Sequence, residues 1–211
     1  MPQFATEHAY SRLHLQAIPA LAAASARALV AIACLLLVAG SASAQEQVQL
    51  DSQFSRGKLT ELSGMKTTLA IPAFADERDV ADPRTLFVGE QAEGGIALAD
   101  RPFAEIVGEA MRAGFAASNA RLESEGAGMR LAGTVTATEM AIVDRGGVES
   151  LQLTLRTSIQ LVEGTRIVWQ TKLFGRGTVP KSEGIAAATT KAIDRLIEEL
   201  LIDDYFLAEI R

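Results

Sequence analysis

Cysteine and histidine are nearly missing from this sequence. Its 211 residues hold one Cys and two His, and His8, His14 and Cys34 all fall before residue 45. A chain that has lost that segment has neither imidazole nor thiol. Ser-His and Cys-His nucleophilic catalysis, and Cys/His zinc sites, are then excluded. Aromatic residues make up 5% of the chain, so Leu, Ile, Val and Ala must build the core. An excess of positive charge is also absent. The formal net charge is −6, which argues against a nucleic-acid binder, since these carry a basic patch or stripe. What is present is a globular balance of 48% apolar and 22% charged residues, in a length that suits one domain with an extension.

The extension is at the start. Residues 28–39, ALVAIACLLLVA, are uncharged and apolar, preceded by Arg12 and Arg27 and followed by Gly40-Ser41-Ala42-Ser43-Ala44. These are the three regions of a secretory signal peptide, with cleavage expected after Ala44 and a periplasmic product. The apolar core is too short for a spanning helix. The alternative is an outer-membrane lipoprotein anchored through Cys34. Against it, Leu35-Leu36-Leu37-Val38 carry the apolar core past the Cys. Residues 1–44 carry a net +1 through Arg12, Arg27 and Glu7, so the remainder carries −7.

Residues 45–66 are polar and Gly/Ser-punctuated, an extended lead-in with room for one edge strand. The single domain expected over 67–211 begins with TLAIPAF at 68–74, a short apolar run of strand type. Pro72 places that strand at an edge or ends it. Residues 76–95 read as loop, interrupted by Leu86-Phe87-Val88. The spacing of Phe103, Ile106, Val107, Ala110, Met111 and Phe115 predicts an amphipathic helix over 102–119, with Asp100 and Pro102 as its cap and first turn and Asn119 as its stop. Residues 129–143 and 151–162 alternate with period two, joined by Asp144-Arg145-Gly146-Gly147. Glu163-Gly164-Thr165 then leads to a third strand, 166–176, which contains Trp169. A second helix over 182–201 has Ser182 as cap. Its stripe is Ile185, Thr189, Ile193, Leu196, Ile197 and Leu200, and Asp194, Arg195, Glu198 and Glu199 are assigned to water. An apolar tail, Tyr205-Phe206-Leu207 with Ile210, packs back. The expected fold is α+β: a two-layer sandwich of order β-α-β-β-β-α. Its sheet is about four-stranded and mainly antiparallel, with both helices on one face.

No motif demands catalysis, a cofactor or a metal. The run Asp76-Glu77-Arg78-Asp79 with Asp82 offers oxygens to calcium. It lacks EF-hand spacing and holds Arg78 in its midst, so it reads as a solvated charged loop. GEQAEGG at 89–95 has no Lys-Ser/Thr ending and is a loop, not a phosphate cradle. Adjacent pairs such as Glu198-Glu199 and Asp203-Asp204 diverge and cannot flank one bond. The uncovered sheet face has more content. Thr134, Thr136 and Thr138 on one strand lie beside Gln152, Thr154, Arg156, Ser158 and Gln160 on the next, poorer in Lys and Glu than an ordinary solvated face. The candidate partner-binding residues are Thr134, Thr136, Thr154, Arg156 and Ser158, with Arg156 as anchor.

The leader, TLAIPAF running into a DERD loop, the helix, the meander with Trp in its third strand, and the closing LIDDYFLAEIR resemble the YajG-like family of bacterial envelope lipoproteins. The topology is also similar to the lipopolysaccharide-assembly lipoprotein that sits inside its barrel partner, and to auxiliary lipoproteins of lipid-transport ABC systems. The resemblance covers residues 66–211 and carries no catalytic motif. It implies a non-enzymatic envelope protein that binds or scaffolds an envelope protein or lipid-transport component, with possible outer-membrane association. Two other classes compete. One is a carrier of a small apolar or lipid ligand between sheet and helices. The other is a hydrolase using carboxylates alone, which needs two of them facing across a cleft.

Overall fold

The computed structural model describes residues 45–54, 60–92, 95–124 and 126–211, all within one unit of the chain, Ala44–Arg211. The leader and Cys34 lie outside the described residues, as does part of the 89–95 loop. In chain order the elements are β1 (Glu46–Val48), β2 (Leu69–Ala70), β3 (Ala75–Asp76), β4 (Thr85–Val88), β5 (Ile96–Ala99), α1 (Phe103–Ala117), β6 (Met129–Asp144), β7 (Glu149–Glu163), β8 (Arg166–Pro180), α2 (Gly184–Leu201) and α3 (Asp204–Ile210).

The α+β sandwich is as expected. The principal sheet runs β2-β6-β7-β8, with β3 also on β6. The β6-β7 and β7-β8 pairs are antiparallel hairpins over their full length. Asp144 accepts the Gly147 N–H at 2.9 Å and closes the first turn. Gly146 and Gly147 take the positive φ angles, 67° and 86°, that this tight reversal needs. Pro72 has the expected effect. It splits the edge strand into β2 and β3, which lie parallel to β6 in register Leu69 with Met129 and Ala75 with Thr134.

Both helices cover the same face. From β7, Leu153, Leu155, Ile159 and Leu161 are fully buried; each such side chain contributes roughly 1.5–3 kcal/mol on removal from water. Above them lie Ile106, Met111 and Phe115 of α1 and Ile193, Leu196 and Ile197 of α2. Phe74 is wedged between α1 and β6, against Gly108 and Gly133. The contact of α2 with β8 is closer still. A Cβ on Gly175 would stand 1.9 Å from the Ala192 carbonyl oxygen, and one on Gly177 2.0 Å from that of Ala188. The alternating glycines let the helix backbone rest on the strand backbone. The apolar tail forms α3, capped by Asp203, which accepts the Phe206 N–H at 2.8 Å. Phe206 packs against Trp169 with tilted rings, centroids 5.1 Å apart, and meets Phe115 edge-on at 5.9 Å.

Several expectations are corrected. Residues 76–95 are not simply loop: they hold β4, which pairs antiparallel with β5 just beyond them, and β1 from the lead-in joins β5 in parallel, forming a second, three-stranded sheet. The lead-in is not peripheral, since Val48, Leu50, Leu62 and Met65 are buried. Asp100 does not cap α1; its Oδ1 accepts the Leu50 N–H at 3.4 Å, and Pro102 occupies the cap position without a side-chain bond. Asn119 does make the left-handed stop, at φ 59°. Ser182 is not the cap of α2, because Lys181–Glu183 form a 3-10 turn before the helix begins. Asp194 and Glu198 are buried rather than in water. Sheet, α1 and α3 all pack against α2, which leaves it only a narrow wet strip.

Candidate functional site

The outer face of the principal sheet is the side that no described element covers. Register places its side chains in rows across β6, β7 and β8: Ala132–Gln160–Gln170, Thr134–Ser158–Lys172, Ala137–Arg156–Phe174 and Glu139–Thr154–Arg176. The five candidates are therefore neighbours, but they are not equivalent. Arg156 and Thr136 are exposed, while Thr134 and Ser158 are half-buried. Thr154 is 6% exposed, closed in by its cross-strand neighbours. That corrects its place among the docking residues: a partner would not reach it.

A β-bulge decides the rest. The register of β6 shifts between Val135 and Ala137, so the extra residue, Thr136, protrudes and its hydroxyl donates to the Arg156 carbonyl at 3.2 Å. Beyond the bulge the alternation inverts. Thr138 pairs with core-facing Leu155 and turns inward, not outward beside Thr134 and Thr136 as strict alternation predicts. Arg156 has a partner unseen in the sequence: its Nε lies 3.6 Å from Glu139 Oε1, both side chains being more than half exposed. Such a surface pair contributes at most about 1 kcal/mol and leaves the guanidinium available. The third row member was also missed. On β8, Lys172, Phe174 and Arg176 project onto this same face, and Phe174 is 53% exposed. The period-two pattern of β8 holds the signal, but only pairing places it beside Arg156.

The charged loop is the largest correction. Arg78 is not solvated: its side chain is 3% exposed. Its Nε and one terminal nitrogen grip Asp76 in a fork, at 2.8 and 2.7 Å. The other nitrogen donates to the Thr85 carbonyl and to the Thr138 hydroxyl, and the guanidinium lies 5.1 Å from the centre of the Phe103 ring. One residue thus ties β3, β4, β6 and α1 together. Burial pushes the Asp76 pKa up, but the hydrogen bonds and charge of Arg78 outweigh it and hold the carboxyl below its usual value. Asp82 is engaged similarly by Arg84, in the open. Asp76 and Asp82 serve guanidinium groups while Glu77 and Asp79 stay exposed, and the Asp76–Arg78 pair acts as a structural clasp.

A surface cleft of about 550 Å³ lies between β2, β6 and the turn after α1, lined by Leu69, Ile71, Leu122, Glu123 and Arg130. Among the described residues, Glu123 is its one carboxylate.

A two-layer α+β domain with one sheet face bare serves many unrelated functions, so the architecture names a fold and no reaction. No family model matches the chain, and no curated protein matches it. Solved structures do. Protein XCC0632 from Xanthomonas campestris, of the family DUF330, superposes with a TM-score of 0.52 at 17% identity, over 74% of this chain and 91% of that one. The PelC dodecamer from Paraburkholderia phytofirmans matches at a TM-score of 0.34 and 16% identity, over 68% of this chain and 93% of that one. A neuraminyllactose-binding hemagglutinin homolog from Helicobacter pylori matches at 0.38 and 9%, over 76% and 97%. The first likeness shows the fold; the other two are too loose to carry weight.

Proposed function

We propose that this chain is an exported, non-enzymatic protein of the bacterial cell envelope that binds or scaffolds an envelope component through the outer face of its principal sheet. One observation carries the reading. Three strands of 15 or 16 residues present a broad face whose inner side takes both helices and whose outer side takes nothing among the described residues. Its centre is built of Thr, Ser and Gln around Arg156 and Phe174, a composition that suits contact with a partner better than plain solvation. The leader supports export, and the YajG-like pattern supports an envelope role. A two-carboxylate hydrolase needs two facing acids, and among the described residues the cleft beside β2 is lined by Glu123. A carrier would need space beneath the sheet, where Leu153, Leu155, Ile193 and Leu196 fill the layer.

Photo-crosslinking tests the face. A photoreactive residue at Thr134, Thr136 or Ser158 should capture an envelope component in living cells, and one at Glu105, on the exposed side of α1, should not. Equal capture at both places, or none at the sheet, removes the assignment. Arg156→Glu should weaken that capture while changing stability by less than about 1 kcal/mol, since both partners of its ion pair are exposed. Processing is checked separately by intact mass of the protein from an envelope fraction. The expected species begins at Gln45 and is unacylated. A lipid-bearing species beginning at Cys34 would replace the periplasmic assignment with outer-membrane anchoring.

A further inference from the structure

We propose that the open edge of β8 carries a binding groove for a phosphate-bearing anion. Two contiguous surface cavities, of about 550 and 430 Å³, share Arg145, Arg176 and Thr178. Lys191 lines the first; Lys172, Phe174 and Arg195 line the second. The cations come from three separate places in the chain: Arg145 from the β6-β7 turn, Lys172 and Arg176 from the exposed side of β8, and Lys191 and Arg195 from the wet strip of α2. Among the described residues the only carboxylate in either lining is Glu199, which Arg195 already holds as an i, i+4 pair. Among the described residues Arg145, Lys172 and Arg176 enter no ion pair. In a chain of net charge −6, this gathering of unneutralised cations runs against the overall balance.

Protection of a sheet edge explains part of it. β8 is a terminal strand, and positive side chains along such a strand keep a second copy from pairing with it. That accounts for Lys172 and Arg176. It also accounts for Lys191, whose ammonium group donates to the Thr178 carbonyl at 2.8 Å, but it does not account for Arg145, which reaches the groove from the β6-β7 turn. Two guanidinium forks and flanking ammonium groups converging on one open groove match the doubly charged, multi-oxygen phosphate group. Phe174, with Arg176 at 5.8 Å from its ring centre, adds an apolar wall beside the cations. The phosphate has two possible sources, a small soluble phosphate ester or pyrophosphate, and the headgroup of an anionic lipid. The groove shares Lys172, Phe174 and Arg176 with the rim of the binding face, but its test needs no export and no protein partner, and capture at Thr134 or Thr136 can stand or fall without it.

Titration calorimetry of the purified protein with sodium pyrophosphate at low salt, and flotation with vesicles of phosphatidylglycerol in phosphatidylcholine against phosphatidylcholine alone, form the two arms. The expected result is saturable binding of at least one anionic probe, weakened at least about tenfold in the double variant Arg145→Gln, Arg176→Gln and unchanged in Arg166→Gln, an exposed cation elsewhere on β8. Binding of pyrophosphate without flotation assigns a soluble ligand; selective flotation assigns the lipid headgroup. Circular dichroism checks the fold of each variant, and Lys172→Gln serves as a milder probe if the double variant unfolds. Failure of the folded protein to bind either probe overturns the groove. So does binding that persists in the double variant, or that Arg166→Gln weakens equally.

Discussion

Arg78→Ala should lower the unfolding free energy by about 3–5 kcal/mol, the usual cost of removing one partner from a buried ion pair. Urea denaturation followed by circular dichroism measures it, and the melting temperature should fall by roughly 10 °C. The loss has identifiable parts. Asp76 keeps its charge at a site largely shielded from water, the carbonyls of Thr85 and Pro83 lose a charged donor, and the Phe103 ring loses its cation. A paired replacement, Asp76→Leu with Arg78→Met, should recover much of the loss, because it removes both charges and leaves none stranded. The same pair predicts acid sensitivity. The folded-state pKa of Asp76 lies below its unfolded value, so its contribution is complete above about pH 4 and disappears as pH falls through the lowered pKa. Unfolding on acidification should therefore be steeper in the native protein than in the doubly replaced one. A change of under about 0.5 kcal/mol in Arg78→Ala would mean that the loop is solvated after all.

Gly177→Val should be at least as damaging, with a loss of about 3 kcal/mol or more. Its Cβ would meet the Ala188 carbonyl oxygen at 2.0 Å and the Ala192 nitrogen at 2.6 Å. Those are backbone atoms of α2 and cannot rotate aside, so the helix must lift from β8. Lifting it exposes Ile193, Leu196 and Ile197 together. Gly175→Ala meets the Ala192 carbonyl in the same way and should follow it. Gly64→Ala is the control: no atom lies within 4 Å of its added Cβ, and stability should move by less than about 0.5 kcal/mol. If Gly177→Val melts like the native protein, α2 does not rest on β8 as described.

Much of this fold is written in short-range pattern. The alternation of Leu151, Leu153, Leu155, Ile159 and Leu161 defines β7, and the turn residues on either side of it set two hairpins. The spacing of Phe103 to Phe115 defines α1. These signals are local because a helix or hairpin buries its own stripe at a fixed period, and the composition of the outer face follows from the same count. Four matters were decided elsewhere. The second sheet joins strands of three and four residues, too short to show a period, one of them drawn from the lead-in. The bulge at Thr136 cannot be seen in one strand alone, because it exists only as a mismatch with β7; it turned Thr138 inward and left Thr136 out. Arg78 and Asp76 read as solvated because a charged run usually is, and only the convergence of β3, β4, β6 and α1 supplies the partners that make burial tolerable. The groove on β8 gathers Arg145, Arg176 and Lys191 from positions tens of residues apart. The sequence alone determined which stretches bury an apolar side and what the bare sheet face is made of. The tertiary structure alone decided which charges are buried, which face each way, and which meet, since those depend on partners that local periodicity does not encode.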